Sequence, residues 1–130
     1  MYETTTAGIR ICVQSEFLDD QSDPEEGHFV WAYTVRIENE SKNTVQLRNR
    51  EWVITNAHGQ SEVVKGEGVV GEQPVLRPGE GFEYTSGAPL GTPSGLMVGR
   101  YGMETLEGEN FEVDIPAFSL DSPHEDRRIH

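Results

Sequence analysis

The chain has 130 residues, of which 23 are acidic and 10 are lysine or arginine, so its net charge is −13. That length fits one domain around one hydrophobic core. The acidity excludes duplex nucleic acid and anionic membrane surfaces as partners, because both need clustered cations.

The first predicted element spans residues 9–18. Ile9, Ile11, Val13 and Phe17 share one parity, and Arg10, Gln14 and Glu16 take the other, which is the pattern of a half-buried strand. Cys12 falls on the polar parity. As the only cysteine it excludes an intrachain disulfide and points to a reducing compartment. Met1-Tyr2-Glu3-Thr4 has neither a basic nor an apolar leader region, and no apolar run nears the roughly eighteen residues of a membrane span. A cytoplasmic chain is the expectation.

Asp19, Asp20, Asp23, Glu25, Glu26 and Gly27 then form an acidic loop. The clearest strand follows: Phe29, Trp31, Tyr33, Val35 and Ile37 alternate with Val30, Ala32, Thr34 and Arg36. Val30 and Ala32 give its second face some apolar cover, which suits either a central strand or a partner site. After a polar turn at Asn39 to Asn43, Val45 and Leu47 sit on odd positions while Trp52 and Ile54 sit on even ones. That phase slip predicts a bulge or bend between Asn49 and Glu51.

Asn56 to Gly59 reads as a turn, Ser61 to Val64 as a short strand, and Gly66 to Gly71 as a glycine-rich loop. Arg77-Pro78-Gly79-Glu80 suits a type II turn. Phe82 and Tyr84 open a strand that ends at Ser86-Gly87, and Ala88 to Gly95 reads as a Pro/Gly-rich loop. Met97, Gly99, Tyr101 and Met103 share one parity of the next strand. Phe111, Val113 and Ile115 alternate in the last, which Pro116 is expected to stop. Residues 119–130 read as a polar C-terminal tail. No stretch carries a helical stripe. The whole chain, 1–130, is therefore expected to be a single all-β domain, an antiparallel sandwich of about seven or eight strands.

The sharpest motif is Gly66-Glu67-Gly68-Val69-Val70-Gly71, a G-x-G-x-x-G string. In a dinucleotide-binding unit it must follow a strand and open a helix. Here Pro74 and Pro78 follow and no helical pattern does. A structural loop is one reading; a backbone nest for an anion, using Gly66, Gly68 and Gly71, is the other. Glu67 and Glu72 flank the string with only Lys65 as a neighbouring cation, so their charge opposes phosphate. From Asp19 the acidic loop lacks the glycine at position six and the glutamate at position twelve of a calcium loop, leaving weak surface attraction of a divalent cation. His28, His58, His124 and His130 show no metal-ligand spacing, and no serine lies in a nucleophile-elbow frame. No catalytic residue, cofactor or metal site is read.

Longer fragments carry a resemblance. They are the Phe29-Val30-Trp31-Ala32-Tyr33-Thr34-Val35 strand, Trp52-x-Ile54-Thr55, and Gly66 through Pro74. Pro78-Gly79-Glu80, Tyr84-Thr85-Ser86-Gly87 and Thr92-Pro93-x-Gly95-x-Met97-x-Gly99-x-Tyr101-x-Met103 follow, then Asp114-Ile115-Pro116-x-Phe118-x-Leu120 with Ile129-His130. In this order they resemble the bacterial ApaG family over essentially the whole chain. The resemblance implies an immunoglobulin-like, fibronectin type III-like sandwich in the cytoplasm, linked to cobalt and magnesium efflux or homeostasis. It also implies a proposed pyrophosphate loop at Gly66, Gly68 and Gly71, and use of the domain for protein contacts. Gly81 and Gly102 stand where a strand favours larger side chains. The leading expectation is a non-enzymatic module that binds a protein partner, as a monomer or homodimer. The alternative is a pyrophosphate- or nucleotide-binding protein using the Gly66–Gly71 loop.

Overall fold

The computed structural model describes residues 1–124. His130, and the Ile129-His130 end of the resemblance, lie outside the described residues. Among the described residues nine strands form two antiparallel sheets. They are β1 (Tyr2–Thr6), β2 (Ile9–Phe17), β3 (Phe29–Asn39), β4 (Val45–Asn56), β5 (Ser61–Glu67), β6 (Val75–Leu76), β7 (Gly81–Leu90), β8 (Gly95–Thr105) and β9 (Asn110–Leu120). The first sheet runs β1-β2-β3-β7. The second runs β5-β4-β8-β9, with β6 paired to β4. Two 3-10 turns, Asp19–Gln21 and Pro24–Glu26, occupy the acidic loop.

The two sheets face one another across a single core, making the expected sandwich. Every odd position from Phe29 to Ile37 is buried, so the alternation in sequence is the alternation in space. From the second sheet Leu47, Trp52, Met97, Tyr101, Met103, Val113 and Ile115 meet them. Each fully buried large side chain contributes roughly 1.5–3 kcal/mol of transfer free energy. The Trp31 indole N–H donates to the Asp121 carbonyl at 2.7 Å, so its polar edge is satisfied where the chain leaves β9.

Several boundaries differ from the sequence pattern. β1 is an extra strand, paired with β2 from Tyr2↔Val13 to Thr6↔Ile9. The irregularity in β4 falls between Leu47 and Asn49, earlier than the phase slip alone located it. There Arg48 is the extra residue, which carries Leu47 and Trp52 to the same side. β5 continues through Gly66 and Glu67, and β7 through Ala88 to Leu90. Pro116 does not end β9: it lies in a second irregularity, where Met97 pairs with Phe118 but Gly99 with Ile115. A bulge tolerates a residue without an N–H. Ser119 and Leu120 therefore belong to β9 rather than to a tail, and Leu120 is buried. Cys12 faces away from the core as expected, but the side chains around it leave only 7% of the residue exposed.

The two flanks of the sandwich differ. On one side β1 and β9 are stitched together, with the Tyr2 hydroxyl 2.8 Å from Ser119 Oγ and the Asp114 N–H donating to Thr6 Oγ1 at 3.3 Å. On the other side β5 and β7 are both edge strands, with β4 and β3 as their respective strand partners.

Candidate functional site

The glycine string begins inside a strand. Gly66 pairs with Arg50 across β4 and β5, and a Cβ there would stand 2.8 Å from both terminal guanidinium nitrogens of Arg50. The bare backbone thus leaves room for the guanidinium, whose Nη1 donates to the carbonyls of Glu67 at 2.9 Å and Gly68 at 2.8 Å. Gly68 has φ +64° and is buried, and a Cβ on it would collide with the Glu72 carbonyl oxygen. Val69 and Glu72 exchange backbone hydrogen bonds at 2.8 and 2.9 Å. Between them Val70 and Gly71 both have positive φ, +43° and +82°, the pattern of a type I′ two-residue turn. Val69 points inward and is fully buried, while Val70 is exposed.

This geometry bears on the anion reading. The Gly68 N–H is taken by the Arg48 carbonyl at 2.9 Å, and those of Val69 and Glu72 by each other's carbonyls. Gly68 is interior and Gly71 is exposed, so the string does not line one concave surface. Pro74 and β6 follow, not a helix. The spacing of the glycines is accounted for by a guanidinium, a crossing carbonyl and a turn.

Behind Arg50 lies a group of tyrosines. Tyr84 from the first sheet and Tyr101 from the second share a hydroxyl–hydroxyl hydrogen bond in the core. Burial pushes the Tyr101 phenol well above its ordinary range and Tyr84 in the same direction. Tyr33 is also raised by burial, with a hydrogen bond from Ser86 and the charge of Arg50 pulling the other way. Neutral tyrosines of this kind hold two sheets together and are poor bases at physiological pH. The Trp52 indole N–H is buried with no hydrogen-bond partner among the described residues.

The remaining candidates from the sequence lie apart. The acidic loop supplies no group of three or more metal-ligating side chains among the described residues. His124 packs edge-on against Phe17, with Nε2 3.7 Å from Asp19. The Cys12 thiol is pushed up by burial, which Arg10 only partly offsets, so it is not an activated nucleophile. Val30 and Ala32 are half-buried. Apolar exposure lies elsewhere: Val63, Leu96 and Val98 are 56%, 45% and 38% exposed, and Val53 aligns between Val63 and Val98 across β5, β4 and β8.

Sequence reasoning passed over Arg50 and Glu62. Both lie on the inward parity of their strands, Arg50 with Trp52 and Ile54, Glu62 with Val64. A charged residue on an apolar parity was the available signal.

Two antiparallel sheets around one aromatic core, with the glycine string in a turn between strands, define a β-sandwich domain rather than an α/β nucleotide-binding unit. The chain belongs to the ApaG family: the model of the ApaG domain matches residues 19–105. It is 67% identical over 124 residues, 95% of each chain, to Protein ApaG of Rhodospirillum centenum. It is 62% identical, over the full length of both chains, to Protein ApaG of Parvibaculum lavamentivorans. The crystal structure of a Bordetella pertussis protein named as ApaA superposes with a TM-score of 0.86 at 45% identity, covering 89% of this chain and 94% of that one.

Proposed function

We propose that the chain is a non-enzymatic cytoplasmic binding module that mediates protein–protein contacts. Any link to cobalt or magnesium homeostasis then runs through its partner. The observation that carries this reading is the outer face of the second sheet, where Val63, Leu96 and Val98 remain exposed on a rigid frame. Unlike the scattered apolar residues of an ordinary surface, Val63 and Val98 are joined by Val53 into a row across three strands. Beside it runs a polar row in which Glu51 meets Arg100 at 3.1 Å and Lys65 at 3.6 Å. Apolar contact area rimmed by charge is the anatomy of a protein interface. The test places a photo-crosslinking residue at Val98 in living cells. A discrete cross-linked partner, lost on Val63→Glu, supports the module. Uniform, weak labelling unaffected by that substitution counts against it.

The second reading is pyrophosphate or nucleotide binding at Gly66, Gly68 and Gly71. Its support is the run of positive φ at Gly68, Val70 and Gly71 with the Arg50 guanidinium beneath. Glu67, Glu72 and the committed amides weigh against it. Titrating pyrophosphate with and without Mg²⁺ separates the two. Saturable amide shifts at Val70 and Gly71 would favour the anion; unmoved signals at millimolar ligand would remove it.

A further inference from the structure

The open flank between β5 and β7 holds a cleft of about 320 Å³. Its apolar side is made by Ile54, Pro89 and Leu90, and Glu62 stands beside them. Glu62 is directly opposite Ile54 across the strand pair, so it projects from the core side of β5. Its neighbour on that face, Val64, packs against the core. A carboxylate is thus set on the inward face of an edge strand, over aliphatic side chains. Among the described residues no cation lies within 4 Å of it, whereas Glu51, on the adjacent strand β4, is met by both Lys65 and Arg100.

The walls of this cleft are fixed. The buried Thr92 hydroxyl accepts from the Ala57 N–H at 3.1 Å and donates to the Ser94 carbonyl at 2.8 Å, tying the β4–β5 turn to the β7–β8 loop. Ser122 holds the same loop from the other side by donating to the Pro93 carbonyl at 2.6 Å. At the rim Gly27 approaches Gly91, which brings the Pro24–Glu26 turn, with its exposed Glu25 and Glu26, to the mouth. The charged side chains so placed, Glu62, Glu25 and Glu26, are all acidic, in keeping with the net charge of −13.

From this we infer that the cleft receives a lysine or arginine side chain carried on an extended segment of a partner protein. The aliphatic stem lies over Ile54, Pro89 and Leu90, and the cation meets Glu62. Long cationic side chains combine these two surfaces in the way the cleft does. The flanking backbone of the segment runs along the open edge of β5, which has no proline to interrupt pairing. This inference rests on the protein-binding reading and names the chemistry of the partner. The competing explanation is that Glu62 serves only to repel strand addition at an exposed edge.

The experiment titrates the isotope-labelled full chain with a blocked five-residue peptide of valine and serine around a central lysine, and with its norleucine and glutamate counterparts. The lysine peptide should give saturable shifts at Ile54, Ser61, Glu62, Leu90 and Gly91. Norleucine should bind about five-fold more weakly, the upper end for an ion pair to the exposed Glu62, and glutamate not at all. Glu62→Gln should bring lysine down to the norleucine value. Equal shifts from all three peptides, no shifts, or unchanged lysine affinity in Glu62→Gln would overturn the inference. So would self-association of Glu62→Gln without loss of lysine binding, which would assign the residue to edge protection. A photo-crosslinker at Gln60, compared with one at Val98, separates this inference from the reading beneath it. Partner capture at Gln60 that Glu62→Gln abolishes supports the cleft. Capture at Val98 alone overturns the cleft and leaves the binding module standing; capture at neither overturns both.

Discussion

Tyr84 and Tyr101 come from opposite sheets and hydrogen-bond to each other through their hydroxyls inside the core. Replacing one leaves the other hydroxyl buried without this partner. Tyr84→Phe should therefore destabilise by about 1–3 kcal/mol, and the double Phe variant should cost less than the two single variants summed. Urea midpoints of the four proteins check this. The pair also sets a pH dependence. Both phenols are raised by burial above the unfolded value near 10, so the folded chain keeps protons that the unfolded chain releases. Their contribution is fully present below that unfolded pKa and is lost as pH rises through the raised folded values. Stability should fall above pH ~10, less steeply in the double Phe variant.

The Gly66–Gly71 region makes a graded prediction. Gly68 combines positive φ with a carbonyl where a Cβ would stand, whereas Gly71 has positive φ and open space. Gly68→Ala should cost about 2 kcal/mol or more, and Gly71→Ala about 1 kcal/mol. Val70 is a β-branched residue at φ +43° with its side chain exposed. Val70→Asn should stabilise by about 0.5–1 kcal/mol, because Asn-Gly is the favoured pair for this turn. Thermal midpoints without any ligand are the measurement. Equal effects at Gly68 and Gly71 would remove the packing account of the string.

Asn39 is a further test of buried polarity. It is fully buried: Nδ2 donates to the Asn43 and Leu76 carbonyls at 2.7 and 2.9 Å, and Oδ1 accepts from the Ser41 N–H and hydroxyl at 2.9 and 2.6 Å. Asn39→Asp would turn a carboxylate oxygen toward two carbonyls. Its folded pKa is then raised above the ordinary value near 3.9, so the variant is penalised as pH rises. Asn39→Asp should be markedly less stable than the parent at pH 8 and recover part of the loss at pH 4, measured by urea unfolding.

Strand alternation made the core legible. Phe29 to Ile37 could be read directly because aromatic and β-branched residues on one parity have one placement in a sandwich. β1 was not legible: in Tyr2-Glu3-Thr4-Thr5-Thr6 only Tyr2 is a large apolar residue, and the strand exists because β2 offers an edge to pair with. Pro116 and Gly66 misled for a related reason. Each is a poor strand former by itself, but one sits at a bulge and the other makes room for Arg50. Long-range partners decide such positions, and local pattern does not contain them. At the candidate site the glycine string was legible as a motif. The donors and acceptors that engage it, Arg48, Arg50 and Glu72, became visible only in three dimensions.

The seam between β1 and β9 joins strands that lie far apart in the chain. Tyr2 and Ser119 are 117 positions apart, and Thr6 and Asp114 are 108 apart. During synthesis the amino-terminal strand therefore emerges long before the last strand that secures it. One flank of the sandwich stays unzipped until β9 has left the ribosome, so closure of the fold waits on synthesis of a strand more than a hundred positions after the first.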